Sequence, residues 1–550
     1  MKLYSWKKYL LGFITLIVFA GFFPGQDEMY FEISKNIDLF GRIYKEISFG
    51  YVDEIDPEQF MRSGIEGMLS SLDPYTVFID ESKQDEIDLI TNGKYGGVGI
   101  SIGIRGDEVT IVDVLDGYSA QRQGVHVGDI LIEAAGKKVS AKNVDDISTL
   151  VKGEPGTAVE LKMTRNEGAD TVVFNLIREE VIIKNILYSG FYPVESNNVY
   201  LKLSNFSRTA ADELKNDLKE LKTQKEIKSI VLDLRGNPGG LLDIAVDICD
   251  KFLPKDDLIV STKGRDAASS KSYFAQQQPM LASAKLVVLV NEGSASASEI
   301  VAGAMQDHDR GIILGNKTFG KGLVQTISPL SYNTSLKITT AKYYTPSGRC
   351  IQKIDYSHDN KVIANPDSLI SAKYFTDNKR VVYGNGGITP DTVVNYKIEG
   401  NITKSLLAKG IFFQFADNYL NKNPNEQFGS LKDDKLFSDL SAYLKEKNFI
   451  FKSDAEKEID KLVKQADDNN LDKTIHESLI KIKNEFKKID DGELQIYKIE
   501  IVRELKTELA SRYLGNKGKI EQFLKYDPQF QTAINIVNDE KVYNSILTKN

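Results

Sequence analysis

Twice between residues 228 and 307 the chain repeats one unit: an apolar run, a tight loop of small residues, then an apolar-faced helix. KSIVLDLR leads into GNPGG and LLDIAVDICDKFL, and KLVVLVN leads into EGSASAS and EIVAGAMQD. Such runs read as strands buried on both faces, and the strand–loop–helix repetition demands an α/β layer. Functional groups in such layers sit on loops at the carboxyl ends of the strands, the place that GNPGG and EGSASAS occupy. An amphipathic helix rich in acid–base pairs, TAADELKNDLKELK, precedes the first unit.

At 550 residues the chain exceeds one core, so further domains are expected. Residues of about 28–92 carry helical spacing, in YFEISKNIDLFGRIYKEI and EQFMRSGIEGMLSSL, until Asp73-Pro74 breaks it. From Lys94 to Glu180 the texture changes to short alternating strands punctuated by glycine, with helix-like SAQRQG and NVDDISTLVKG between them. This is a compact β-rich module. Beyond residue 398 the chain is rich in Lys, Asp and Glu with helical periodicity, and reads as a solvated helical domain without recognisable chemistry.

At the start, Lys2, Lys7 and Lys8 precede the uncharged run YLLGFITLIVFAGFFPGQ, Tyr9 to Gln26. A positive flank before an apolar run predicts export, with residues 1–26 as a signal sequence or membrane anchor. No clear small-x-small cleavage site appears, which favours a retained or lipid-proximal anchor. The net charge of -8 and the lack of a basic stripe argue against nucleic acid as the partner.

GNKTFGKGLVQT, Gly315 to Thr326, nearly spells a phosphate-binding loop. The hydroxyl residue that would ligate magnesium is replaced by Gly322, and LVQTI reads as a strand rather than a helix. Lys321 therefore needs other chemistry. The four histidines, His126, His308, His358 and His476, are isolated, and neither Cys249 nor Cys350 has a neighbouring base, so thiol catalysis and a zinc site lack support. A hydrolase would then depend on a lysine whose burial lowers its pKa, so that the neutral amine takes a serine proton. Glycines on both sides of Lys321 remove bulk there. Gln325, expected on the same strand face, could orient the amine. Ser294, Ser296 and Ser298 all lie where a strand-to-helix turn offers helix amides to an oxyanion, and the residue physics leaves the choice among them open. Capping the helix is their simpler role.

NEGSASASEIVAGAMQDHDR followed by GNKTFGKGLVQ resembles the C-terminal processing peptidases, the tail-specific serine peptidases of family S41. The resemblance implies Ser296 as nucleophile, Lys321 as base and Gln325 as the residue orienting the lysine. It implies an oxyanion hole from Ala297 together with Gly239 or Gly240 of VLDLRGNPGG. Asp307 also matches a family position and reads as structural, since a carboxylate on the lysine would raise its pKa. YGGVGISI of the β-rich module is similar to the carboxylate-binding loop of a PDZ domain, with the amides of Val98, Gly99 and Ile100 taking a peptide's C-terminal carboxylate. AKYYTPSGRCIQ and GGITPDTVV also look like family segments.

The fold class expected is thus a multidomain α/β protein. It comprises an N-terminal helical region at 27–92, an inserted PDZ domain at 93–180, a crotonase/ClpP-like protease core at 181–397 and a helical region at 398–550. The expected activity is endopeptidase cleavage of exported proteins at their C-terminal tails, with no metal, nucleotide or other cofactor. Expected partners are proteins or peptides with free C-terminal tails, the membrane through the N-terminal segment, and other copies of the chain. The alternative is a non-catalytic PDZ adaptor in the cell envelope.

Overall fold

A computed structural model describes residues 26–548 apart from 82–88, 90, 106–107, 166–169, 357–362, 365–371, 385 and 469–472. The chain divides into two compact units, Met1–Phe78 and Ile79–Asn550. Nearly all of the apolar run at 9–26 lies outside the described residues. Among those described, no helix is long and apolar enough to cross a membrane.

The first unit holds two helices, Gln26–Gly50 and Pro57–Leu69. Asp56 starts the second by accepting from the amides of Glu58 and Gln59, with Pro57 in the first turn, where its missing N–H costs nothing. Tyr44 stacks on Phe60 with ring centroids 5.5 Å apart. The break expected at Asp73-Pro74 is a turn in which Asp73 accepts from the amides of Tyr75 and Thr76. Helical residues do not continue unbroken to 92, because a short strand, Val77–Ile79, follows the turn.

In the second unit the two repeated strands lie side by side in a six-stranded sheet. Its order is Ile186–Phe191, Asn198–Leu203, Ser229–Asp233, Lys285–Val290, Ile312–Gly315, Thr392–Val393. The first pair is antiparallel and the others are parallel. Alternate residues of each strand enter different cores. Val199, Leu201, Ile230, Leu232, Leu286 and Val288 face the helices Ala210–Gln224, Leu242–Cys249 and Ala297–Asp307. Tyr200, Val231, Val287, Leu289, Ile312 and Leu314 face the opposite side, where Phe530, Ala533, Ile534 and Val537 cover them. Both faces are buried, which is why these strands read as continuous apolar runs. A second sheet carries Leu258–Gly264, Lys271–Phe274, Leu323–Pro329 and Ser335–Tyr344.

The β-rich module is an antiparallel sheet in the order Ile100–Arg105, Glu108–Val114, Ile130–Ala134, Ala158–Arg165, Asp170–Ile177, with the helix Val144–Val151. It is joined to the core by a ribbon in which Lys94–Gly97 pairs with Glu179–Ile182.

The region beyond 398 is helical from Asn401–Ala408 to Glu540–Leu547, but it is not one solvated domain. Its helices around Phe412, Leu440 and Leu505 share a core of their own, whereas Leu524, Phe530 and Tyr543 belong to the core under the six-stranded sheet. The charged composition of this region masked those apolar residues.

Candidate active site

The strand Lys285–Val290 ends in the EGSASAS loop, and the helix Ala297–Asp307 starts directly after Ser296. Ser296 has φ 54° and ψ -112°, a left-handed backbone that a non-glycine residue adopts only when its surroundings impose it. A sharp, strained strand-to-helix turn of this kind lifts its side chain out of the loop. The three serines differ in environment. Ser294 and Ser298 are fully buried, and their hydroxyls donate to the carbonyls of Leu234 (2.8 Å) and Asn237 (2.9 Å). These bonds lock the serine loop onto the glycine loop. Ser296 is half-buried, and its carbonyl accepts from Tyr343 Oη at 3.2 Å.

Glu299 organises the surroundings of Ser296. Its buried carboxylate accepts from the amides of Ser296 (2.9 Å), Gly320 (2.8 Å) and Lys321 (2.9 Å) and from Thr318 Oγ1 (2.6 Å). The amides of Ser296 and Lys321 bind the same oxygen, Oε2, so one side chain brings the two residues together. Burial pushes this carboxyl up to about 7, against the pull of its four donors. Sequence reasoning missed Glu299, although Ser-x-x-Glu at a helix start is the capping-box spacing and could have exposed it.

The glycines beside Lys321 are needed for close approach. A Cβ on Gly320, whose φ is +90°, would lie 2.8 Å from Lys353 Cβ, and one on Gly322 would lie 2.8 Å from the Gln352 nitrogen. Lys321 itself is half-buried and precedes the strand Leu323–Pro329. The pairing register shifts between Val324 and Gln325, where the partner strand carries one extra residue, Thr340, while the strand of Gln325 itself continues without a break. Gln325 Nε2 donates to Thr339 Oγ1 at 3.3 Å.

The GNPGG loop lies against the serine. A Cβ on Gly239 would fall 2.9 Å from the Ala297 nitrogen and 3.0 Å from Ser296 Cβ, so only glycine fits. The Gly239 amide donates to Asn237 Oδ1 (2.9 Å), and its carbonyl accepts from Phe206 (3.2 Å). Asp307 ends the serine helix, where it pairs with buried Arg349 at 2.7 Å. Ten residues at 1.5 Å rise put that end about 15 Å from the start. His308 follows it, bonded to Asp377 and the Leu258 carbonyl. Cys249 is buried, which pushes its thiol up, and Cys350 is half-buried.

In the β-rich module, Gly99 has φ +80°, and a Cβ there would lie 2.4 Å from Tyr118 Cβ. The carbonyls of Val98 and Gly99 accept from Ala120 and Leu115. Ile100 opposes Val114 in a pair that exchanges no hydrogen bonds, so its amide points toward the open sheet edge.

Family models match along most of the chain. Residues 197–362 match peptidase family S41, 110–165 a PDZ domain, 402–537 the C-terminal helical domain of probable PDZ-proteases, and 24–83 the N-terminal domain of the activating protease CtpB. The carboxy-terminal-processing protease of Bartonella bacilliformis is 37% identical over 328 residues, 59% of this chain and 74% of the relative. The chain belongs to peptidase family S41. A second relative, the carboxy-terminal processing protease CtpA of Bacillus subtilis, is 30% identical over 58% of this chain and 67% of its own length. A solved photosystem II D1 C-terminal processing protease is 26% identical, with a TM-score of 0.36, over 65% of this chain and 92% of that one. This S41 member is a serine-type peptidase with a PDZ domain, and the adaptor alternative falls.

Proposed function

We propose that this peptidase cuts exported proteins within their C-terminal tails, with Ser296 as nucleophile and Lys321 as its base. The observation that carries this reading is the shared oxygen of Glu299, which holds the Ser296 and Lys321 amides at 2.9 Å each. Of the three serines, Ser296 is the one whose hydroxyl is not committed to the glycine loop, and it sits on the strained turn. Its Oγ adds to the substrate carbonyl while its proton passes to Lys321 Nζ. The resulting ammonium then protonates the leaving amine, and water releases the acyl group by the reverse sequence. Gln325 is assigned to positioning the lysine.

The oxyanion would be held by the Ala297 amide and the Gly240 amide. The Gly239 amide is occupied by Asn237. In the trans Gly239–Gly240 peptide the carbonyl points to Phe206, so the Gly240 N–H points away from it. The amides of Val98, Gly99 and Ile100 would take the tail's carboxylate as the tail adds to the open strand Ile100–Arg105. The lysine-flanked apolar run at 9–26 supports an exported location and membrane attachment through that segment.

Incubation with a tail-bearing protein substrate tests the assignment. Wild type is expected to cleave, Ser296→Ala and Lys321→Ala to give no turnover, and Gln325→Ala to retain partial activity. Equal cleavage by wild type and Ser296→Ala refutes it. Amidating the substrate C-terminus removes hydrogen bonds to a charged group worth about 1.5–3 kcal/mol each, so KM should rise at least about tenfold.

A further inference from the structure

We propose that Gln529 and Asp527, from the C-terminal helical region, are positioning residues of the active site. This rests on the reading of Ser296 and Lys321 given above. Arg235 opens the loop that ends in Gly239 and Gly240. Its guanidinium donates to Asp233 through Nε (2.9 Å) and Nη2 (2.6 Å), to Gln529 Oε1 through Nη1 (2.8 Å), and pairs with Asp527 Oδ2 at 2.7 Å. The other half of the Gln529 amide points elsewhere: Nε2 donates to Asn316 Oδ1 (2.9 Å) and to the Val394 carbonyl (2.6 Å). Asn316 is the first residue beyond the strand Ile312–Gly315, on the segment that reaches Lys321. Gln529 therefore ties the root of the oxyanion loop to the root of the lysine loop.

The sheet order gives this tie its geometry. The strands Ser229–Asp233 and Ile312–Gly315 flank Lys285–Val290, from which the serine loop leaves. Gln529 spans the two outer loops across the middle one, and does so from the sheet face opposite the helix Ala297–Asp307. Asp527 supports it twice, by charge on Arg235 and by capping the helix Pro528–Asn538 through the Gln529 amide (3.0 Å). Gln529 is 2% exposed, so water does not replace these bonds. Displacement of a loop by about 1 Å can cost 10²-fold in rate, so the contact bears on catalysis and not only on folding.

The test uses the full chain and three substitutions. Gln529→Met removes both sets of bonds at similar size. Gln529→Glu keeps the acceptor for Arg235 but sets a carboxylate oxygen against Asn316 Oδ1 and the Val394 carbonyl. Asp527→Asn keeps the cap and removes the charge. Readouts are kcat and KM on a tail-bearing substrate, the labelling rate of Ser296 by a fluorophosphonate, tail-peptide affinity, and cooperative unfolding. Expected are falls of tenfold or more in kcat and labelling rate per folded molecule for both Gln529 variants. A smaller fall is expected for Asp527→Asn, with KM and peptide affinity within twofold of wild type. Labelling and kcat within twofold of wild type in folded Gln529→Met overturn the proposal, as do losses that merely track the folded fraction in all three variants. If Ser296→Ala cleaves like wild type, the underlying reading fails instead, whatever the Gln529 variants do.

Discussion

Glu299 makes the site sensitive to pH. Its folded pKa is raised to about 7 from an ordinary value of 4.5, so between these values the native protein holds a proton that the unfolded chain has released. The stability contributed by this group is complete below pH 4.5 and is lost as pH rises through about 7. Ionising it in the folded state costs on the order of 3 kcal/mol more than in the unfolded chain. Urea unfolding of wild type at pH 5 and 8 should show this decline. His308, whose pKa is also raised, adds in the same direction, so Glu299→Gln should flatten the profile only in part. The same variant turns an amide N–H toward donors and should lower kcat at least about tenfold, because two loops lose a shared anchor. Some of this residue scale was legible in the sequence: a lysine between glycines, and three serines on a turn. What separates Ser296 from Ser294 and Ser298 is not written locally, since the carbonyls that bind the other two come from residues 234 and 237. The bulge opposite Gln325 was equally hidden, because its extra residue, Thr340, belongs to the partner strand.

The helix Ala297–Asp307 is the element on which the site is built, and it is fixed at both ends. Glu299 holds the first turn to the lysine loop, and Asp307 holds the last residue to Arg349, a fully buried guanidinium that also donates to Gln306. Removing one partner of a buried pair strands the other charge. Arg349→Ala should therefore cost about 3–5 kcal/mol in denaturant unfolding, with no special effect on the labelling chemistry of the fraction that remains folded. The strands and helices of this layer were readable from period and length, because each strand is apolar on both faces. The helical region after 398 was readable as helix but not as to what it covers. An amphipathic pattern names a buried face and is silent about the surface that buries it.

At the scale of the whole second unit, the C-terminal helices touch both the PDZ module and the protease sheet. The Phe413 ring meets the guanidinium of Arg105 of the module's edge strand (5.4 Å) and that of Arg512 (4.3 Å), and Arg512 pairs with Asp417 at 2.7 Å. Phe413→Ala should loosen this docking and raise amide exchange in Ile100–Val114, while fluorophosphonate labelling of Ser296 stays within about twofold. Cation–π contacts of this kind are worth about 0.5–2 kcal/mol, enough to change local opening without unfolding the core.

The sheet that carries the serine, glycine and lysine loops has one face closed by helices between residues 210 and 307 and the other closed by residues 524–543. During synthesis the strands leave the ribosome more than a hundred residues before their second cover does. Until Tyr543 has emerged, Val231, Val287, Leu289 and Leu314 offer a greasy surface to whatever chaperone is near. The nascent peptidase therefore has a half-covered sheet until almost the whole chain has been made.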